Sequence, residues 1–348
     1  MRSKVLIIYT GGTIGMVEDA ASSALHPVDF NRLLEEIPEL KKLAVELSVE
    51  SFETPIDSSN LQPKHWLALA KQIQQNYNSY DGFVLLHGSD TMAYTGSVLS
   101  YLLGDIDKAV ILTGSQLPMG KLRTDGKENL ITAIEIAADK SDGVSRVPEV
   151  AIYFEYSLYR ANRTSKVSAE HFEAFQSPNY PLLAEAGVNI NYNDYAIAKR
   201  LKTYEKKKIG LDVNVASVKF FPGIQKNVFD AVLSIEGLKG LIIETYGSGN
   251  APESTWLKDL LKKTVDNGIV VVNVTQCTSG KVDQSKYETG THLKDVGIIS
   301  AADMTFEAAM TKLMYLLAKD GWSTQEVKKH FLKNLAGEIS SQAKSKNQ

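Results

Sequence analysis

At 348 residues, 43% hydrophobic and 23% charged, the chain has a globular composition that excludes disordered and fibrous classes. Its length exceeds the ~250–300 residues at which single cores stop growing, so two domains are expected. A net charge of −3 with no long basic stripe argues against nucleic acid as a main partner, and the lone Cys277 excludes an intrachain disulfide and fits a reducing compartment.

The first predicted element is a strand over Val5–Tyr9, an apolar, β-branched run expected to be covered on both faces. It leads into Thr10-Gly11-Gly12-Thr13. Glycines after a strand mark a sharp turn, or a backbone that a ligand must approach closely. Two readings stand at this point: a tight turn with no ligand, or an anion- or carbonyl-binding loop that presents the Thr13 hydroxyl. The apolar start is too short for a signal-peptide core and no membrane-spanning run follows, so the expected location is the cytoplasm with no membrane partner. Val17–Pro27 (VEDAASSALHP) lacks periodicity and reads as disorder or as a lid.

Strands follow at Leu47–Phe52, Gly82–Leu86, Ala109–Leu112 and Val150–Phe154, with helices at Lys64–Tyr77 and Glu128–Ala138. Such alternation implies βαβ units and a mostly parallel sheet. The polar, then basic segment Asn189–Lys208 reads as a solvated linker. Beyond it, strands at Val215–Phe221, Gly240–Glu244 and Gly268–Val274 alternate with helices at Asn227–Leu233, Ser254–Asn267 and Asp303–Ala318. Phe306, Met310, Leu313 and Leu317 share one face of the last helix, suited to a core or an interface, with the core favoured. The resulting division is 1–190, a linker 191–213, and 214–348, with a fraying tail.

Ligands of open α/β sheets bind beyond the carboxyl ends of the strands. There the first half delivers TGGT, then DSSN with Asp57, Ser58 and Ser59, then HGSDT with Ser89, Asp90 and Thr91, then Ser115 and Gln116, and finally RTSK ending at Lys166. Each hydroxyl alone is best explained as a turn or helix cap. Gathered at one edge, they favour a small-molecule site. His87 is the one histidine at this edge and no histidine pair has metal-ligand spacing, so neither a metal nor a cofactor is expected. Hydroxyls without a histidine still permit nucleophilic catalysis when a lysine or carboxylate relays the proton and backbone N–H groups stabilise an oxyanion.

IIYTGGTIGM and GFVLLHGSDTM resemble the two signatures of the bacterial-type L-asparaginases (asparaginase/glutaminase amidohydrolases). The resemblance extends through DSSN, TGSQLPMGKLRTDG, LYRANRTSK, YGSGNAP and VVVNVTQCTSGKV, nearly the whole chain, and its form is similar to the cytoplasmic type I branch. It implies a two-domain asparaginase-like fold: a larger, doubly wound, flavodoxin-like parallel-sheet domain and a smaller C-terminal α/β domain. It implies hydrolysis of L-asparagine to L-aspartate and ammonia through an acyl-enzyme on Thr13. Asp57, Ser58 and Ser59 would bind the substrate's α-carboxylate end, Asp90 its α-ammonium, and Lys166 would form a relay with Ser89 and Asp90.

Three positions depart from the family pattern. Ser89 stands where the signature has threonine, which keeps the hydroxyl but loses the methyl that restricts rotamers. Thr91 should face away as a helix cap. The lid carries Leu25 where many relatives have a tyrosine; Tyr287 is the candidate replacement, with a packing role as the alternative. Glu244 replaces the arginine of a second, activating site, to which Ser165 and Cys277 would also belong, although Cys277 also reads as a buried small hydrophobe. Asn250 matches a residue that reaches a neighbouring subunit's active site, implying a homodimer or homotetramer. The alternatives are a glutaminase-asparaginase of broader specificity, a non-catalytic amino-acid-binding protein on the same fold, and a phosphate-binding module; GxGxxG and GxxxxGK[ST] are both absent, which disfavours the last.

Overall fold

A computed structural model gives the structure of residues 2–12, 14, 17–18, 25–26, 37–199, 204–284 and 288–340, which divide into a first unit, Met1–Ile209, and a second, Gly210–Gln348. In the first, β1 (Ser3–Tyr9) lies between β2 (Val45–Ser51) and β3 (Gly82–Leu86), and β4 (Ala109–Thr113) and β5 (Val150–Phe154) continue the parallel sheet. The spatial order β2-β1-β3-β4-β5 is that of a doubly wound sheet whose winding reverses between β1 and β3. Three helices cover it: α1 (Pro63–Asn76), α2 (Met92–Leu103) and α3 (Gly126–Ala138). Val5, Ile7, Val84 and Ile111 point to the face where Leu130, Ala133, Ile134 and Ala137 of α3 pack. By the period of two, Leu6, Ile8, Phe83 and Leu85 face the opposite side, and they are equally buried. Helix α2 lies against β5 there, so close to the following segment that a Cβ on Gly96 would sit 2.7 Å from Ala161 Cβ.

Beyond β5 the sheet turns antiparallel, through β6 (Ser157–Arg160), β7 (Ala184–Ala186) and β8 (Ile190–Tyr192). This extension was not expected. The β5–β6 hairpin turns on Glu155 and Tyr156, both left-handed with φ of 44° and 65°. Hairpins of this kind normally advertise themselves with Asn-Gly or Asp-Gly, and Glu-Tyr gives no such signal. The segment read as a linker is likewise part of this unit. Ile190–Tyr192 is the edge strand, Ala196 and Ile197 are buried in the core, and the Tyr204 ring rests on Tyr77 with centroids 4.0 Å apart. A buried ion pair fixes the turn there: Arg160 Nε donates to Glu149 Oε2 at 2.6 Å, while the Ala198 N–H donates to Glu149 Oε1 at 2.6 Å.

The second unit holds a four-stranded, wholly parallel sheet of β9 (Val215–Lys219), β10 (Gly240–Thr245), β11 (Val270–Thr275) and β12 (Ile299–Ser300). Helices α4 (Lys226–Leu233), α5 (Thr255–Asp266) and α6 (Glu288–Asp295) bury Phe229, Leu257, Leu261 and Leu293 against Val218, Leu241, Ile243 and Val271. Helices α7 (Phe306–Leu317) and α8 (Thr324–Phe331) contact the sheet's other face, where a Cβ on Gly240 would lie 2.7 Å from a Leu313 methyl. Met310 and Leu313 of the expected apolar face are buried; Phe306 and Leu317 are half-buried. Helix α7 is therefore a core element. Among the described residues no helix is long and apolar enough to cross a membrane.

Pattern reading gave no sign of the wholly buried pair Lys312–Glu338. Lys312 Nζ also donates to Lys333 O at 2.6 Å, and Glu338 accepts from the backbone N–H groups of Leu335 and Ala336 at 2.7–3.1 Å. The pair fastens the segment after α8 to α7. Breaking a buried pair from one side strands a charge and costs ~3–5 kcal/mol. Lys312→Met should lose about that much, since Glu338 keeps its N–H donors. Glu338→Leu should lose more, because it strands the ammonium and also removes the acceptor of the half-buried Leu335 and Ala336 N–H groups. Urea unfolding followed by Trp256 and Trp322 fluorescence tests this ranking; the reverse order would refute it.

Candidate active site

The loops that leave β1 and β3 meet where the winding reverses. Gly11 and Gly12 have φ of 130° and 86°, in the region that L side chains rarely adopt. A Cβ on Gly11 would fall within 3.0 Å of the Ile56 backbone, and one on Gly12 within 3.0 Å of the Gly88 backbone. A Cβ on Gly88 would in turn lie 2.6 Å from Ser58 Oγ. Three loops are thus in backbone contact, tied by Ile56 N–H to Thr10 O at 2.8 Å and Thr10 N–H to Leu86 O at 3.0 Å. This answers why glycines follow the strand: both the turn and the close approach require them.

The loop after β2 delivers Asp57, Ser58 and Ser59 to the same place. Asp57 Oδ1 accepts from the Ser59 N–H and the Ser59 hydroxyl, each at 2.9 Å, and so caps the single helical turn Ser58–Asn60. The Ser59 N–H, then its hydroxyl, hold the Asp57 carboxyl below the usual carboxylate range. Ser58 is buried, whereas Asp57 and Ser59 are exposed. Thr91 corrects the expectation that it caps the following helix. Its hydroxyl makes no cap bond and donates across to Ser58 O at 2.8 Å. The turn Ser89–Thr91 already supplies Met92 N–H with Ser89 O as a partner, which frees the side chain to join the two loops.

Ser89, Asp90 and Lys166 come together, although Lys166 lies 77 residues from Ser89 in the chain. Lys166 Nζ donates to Ser89 Oγ at 2.8 Å and to Asp90 Oδ1 at 2.7 Å. The lysine side chain is 17% exposed and the aspartate 61%, so the pair opens to solvent on the aspartate side. Ser165 and Lys166 form a short ribbon with Phe175–Gln176, and the buried turn Ala161–Arg163 against α2 sets where that ribbon begins.

His87 has no place in this chemistry. It is fully buried, and its Nδ1 lies 2.6 Å from Gly88 O, a carbonyl that only accepts, so Nδ1 carries the proton. Nε2 then accepts from the Thr95 hydroxyl at 2.8 Å, and Thr95 accepts from the Trp66 indole N–H at 2.9 Å. Burial pushes the imidazole down to about 4. The chain from Trp66 to Gly88 O is structural: it braces the glycine that Gly12 leans on.

Sequence reading missed the support behind Gln116. Asp125, 7% exposed, accepts from the backbone N–H groups of Gln116 and Leu117 at 2.9–3.1 Å and from Asn129 Nδ2 at 3.3 Å. The available signal was TDGKEN at the mouth of a predicted helix, which reads as capping. Ser115 is buried, and among the described residues its hydroxyl has no hydrogen-bond partner.

Thr13 and Tyr287 lie outside the described residues, as does most of the expected lid. Glu244, Asn250 and Cys277 lie at the carboxyl end of the second unit's sheet. Glu244 is half-buried on β10, which raises its carboxyl, and Asn250 closes a tight turn through mutual backbone bonds with Tyr246 at 2.8 and 3.0 Å. Cys277 is exposed, correcting the expectation of a buried hydrophobe. It sits in the turn past β11, where its N–H donates to Thr275 Oγ1 at 3.0 Å.

A depressed imidazole binds fewer protons in the fold than in the unfolded chain. Stability from His87 is therefore complete above about pH 6.5 and falls as pH drops toward 4. About two and a half orders of magnitude in proton affinity correspond to ~3 kcal/mol. The His87 ring should remain neutral at pH 5.5 by carbon-13 NMR of the imidazole; an imidazolium there would contradict the buried network.

Comparisons with known proteins identify the family. A family model described as "Asparaginase, N-terminal" matches residues 4–198, and one described as "Glutaminase/Asparaginase C-terminal domain" matches residues 214–331. L-asparaginase 1 of Escherichia coli (strain K12) is 40% identical over 347 residues, spanning 97% of this chain and 98% of that protein. The crystal structure of L-asparaginase I from Vibrio cholerae superimposes with a TM-score of 0.87 at 38% identity, covering 98% of this chain and 100% of that one. A mouse protein named 60 kDa lysophospholipase is 36% identical over 361 residues, which cover 97% of this chain and 62% of that protein. With both halves matched in order and relatives aligned along nearly the whole length, the chain belongs to the asparaginase family of amidohydrolases.

Proposed function

We propose that the chain hydrolyses L-asparagine to L-aspartate and ammonia, with Thr13 as nucleophile. The observation that carries this reading is the position of Lys166 Nζ, 2.8 Å from Ser89 Oγ and 2.7 Å from Asp90 Oδ1, at the carboxyl ends of β1 and β3. A lysine there can take a proton through the Ser89 hydroxyl, and a neighbouring carboxylate keeps it oriented.

Thr13 Oγ attacks the carbon of the side-chain amide. The C–N bond breaks, the nitrogen leaves as ammonia carrying the proton the hydroxyl gave up, and an ester to Thr13 remains. Water then attacks the ester carbon, its proton returns to Thr13 Oγ, and L-aspartate departs. Backbone N–H groups in the glycine turn are suited to the oxyanion that forms twice along this path. Asp90 pairs with the substrate's α-ammonium, which selects amino acids over simple amides. Ser58 and Ser59, with Asp57 holding the turn, receive the α-carboxylate. Asn250 and Tyr287 complete the site from an adjoining copy in a homodimer or homotetramer. The enzyme acts in the cytoplasm.

Ammonia release from L-asparagine tests the reading. Thr13→Ala should abolish turnover, and Lys166→Met should lower kcat by ~10²–10⁴-fold, the range typical of a removed general acid–base. L-Aspartate binding retained by both variants would show that the fold survives; wild-type rates in either would remove that residue from its role. A fitted pocket discriminates one methylene by ~1–3 kcal/mol, so kcat/KM for L-asparagine should exceed that for L-glutamine by at least about tenfold. Equal values would mean the broader specificity.

A further inference from the structure

Gln116, which touches Ser89, has no part in the reaction as drawn. Gln116 Oε1 lies 3.3 Å from Ser89 Oγ, and Gln116 Nε2 donates to His171 O at 3.0 Å. The carbonyl of His171 only accepts, so the amide orientation is settled: Nε2 faces His171 and Oε1 faces Ser89. Lys166 Nζ is a donor to Ser89 Oγ at 2.8 Å, so the serine's own proton is the one directed at Gln116. The Gln116 backbone cannot drift, because Asp125 grips its N–H and that of Leu117.

A serine side chain has three staggered positions about χ1 and no second heavy atom on Cβ to choose among them. Two hydrogen bonds, one received from Lys166 and one given to Gln116, choose here. We infer that Gln116 is a positioning residue for the proton relay: its amide oxygen holds Ser89 Oγ in the rotamer beside Lys166 while the charged lysine is the donor, and when a neutral lysine takes the proton the Ser89 O–H turns about the Cβ–Oγ bond from Gln116 to Nζ with Oγ in place, so that hydrogen bonding does what a β-branched side chain would do by sterics. This inference rests on the relay proposed above. A hydroxyl-to-oxygen distance of 3.3 Å is longer than the usual ~2.7–2.8 Å, so the effect is moderate rather than decisive.

The competing account is that Gln116 merely ties the loop after β4 to the turn carrying His171. The two accounts differ in what a β-methyl at position 89 does. Steady-state kinetics on L-asparagine would compare Gln116→Met in the natural background and in a Ser89→Thr background. In the first, kcat should fall ~10-fold with KM within ~2-fold, as expected for a contact used in the chemical step. In the second, the same substitution should lower kcat by less than ~2-fold, because threonine fixes its own rotamer. Equal losses in both backgrounds would overturn the inference, as would a loss confined to KM. A crystal structure of Gln116→Met supplies a readout apart from activity: Ser89 should occupy more than one rotamer, and a single unchanged rotamer would refute the lock. Gln116→Leu repeats both comparisons should the methionine variant fold poorly. Absence of turnover by the natural protein would instead sink the proposed activity, leaving the rotamer measurement to decide the contact.

Discussion

Two stretches of backbone leave the first sheet side by side, one from β1 and one from β3, and pass each other more closely than any Cβ permits. The rest of the candidate site is arranged around that contact. It arises because winding reverses between these strands, so their following loops diverge to opposite faces and leave a crevice at the sheet edge. Gly11, Gly12 and Gly88 let the crevice be lined by main chain. The DSSN turn then seats on Gly88 through Ser58, and Thr91 binds Ser58 O.

Charge is distributed around this frame by burial. The nearest histidine is kept neutral by complete desolvation and spends both ring nitrogens on bracing Gly88 O and Thr95. Lys166, by contrast, remains partly exposed beside a more exposed aspartate. Behind it, Asp125 uses its carboxylate on backbone N–H groups, a rigid support for Gln116 and, through Gln116, for Ser89. Charged groups thus serve two ends within one crevice: one carboxylate is buried to hold a loop, another is left in contact with water to hold a lysine.

The second unit repeats parallel-sheet logic on a smaller scale, and its most buried charges are again structural. Lys312 and Glu338 are stranded in a dry interior, so each depends on the other and on the backbone groups around them. That dependence fastens the last described residues to α7. At the carboxyl end of its sheet, Glu244, Asn250 and Cys277 share an edge, with Cys277 turned to solvent and Glu244 half-covered.

Taken by itself, the sequence determined the parallel strands, since short β-branched apolar runs such as VLIIY and GFVLL, alternating with helical patterns, fit a sheet covered on both faces. It also determined the glycine turn and the order of the motifs that mark the family, because those are local patterns. It did not determine β6, β7 and β8, whose two- to four-residue pairings are held by partners and whose hairpin uses Glu155 and Tyr156 instead of a turn-forming pair. Nor did it separate Thr91 from a cap or Cys277 from a core residue, since a single side chain reads the same until its neighbours are known. The family resemblance implied that Lys166 joins Ser89 and Asp90, but only the tertiary structure gave that contact its geometry, put Asp125 behind Gln116, and enclosed Lys312 with Glu338. Each of those pairings joins parts of the chain that no periodicity relates, and hydrogen-bond geometry becomes specific only once the packed elements have fixed both ends.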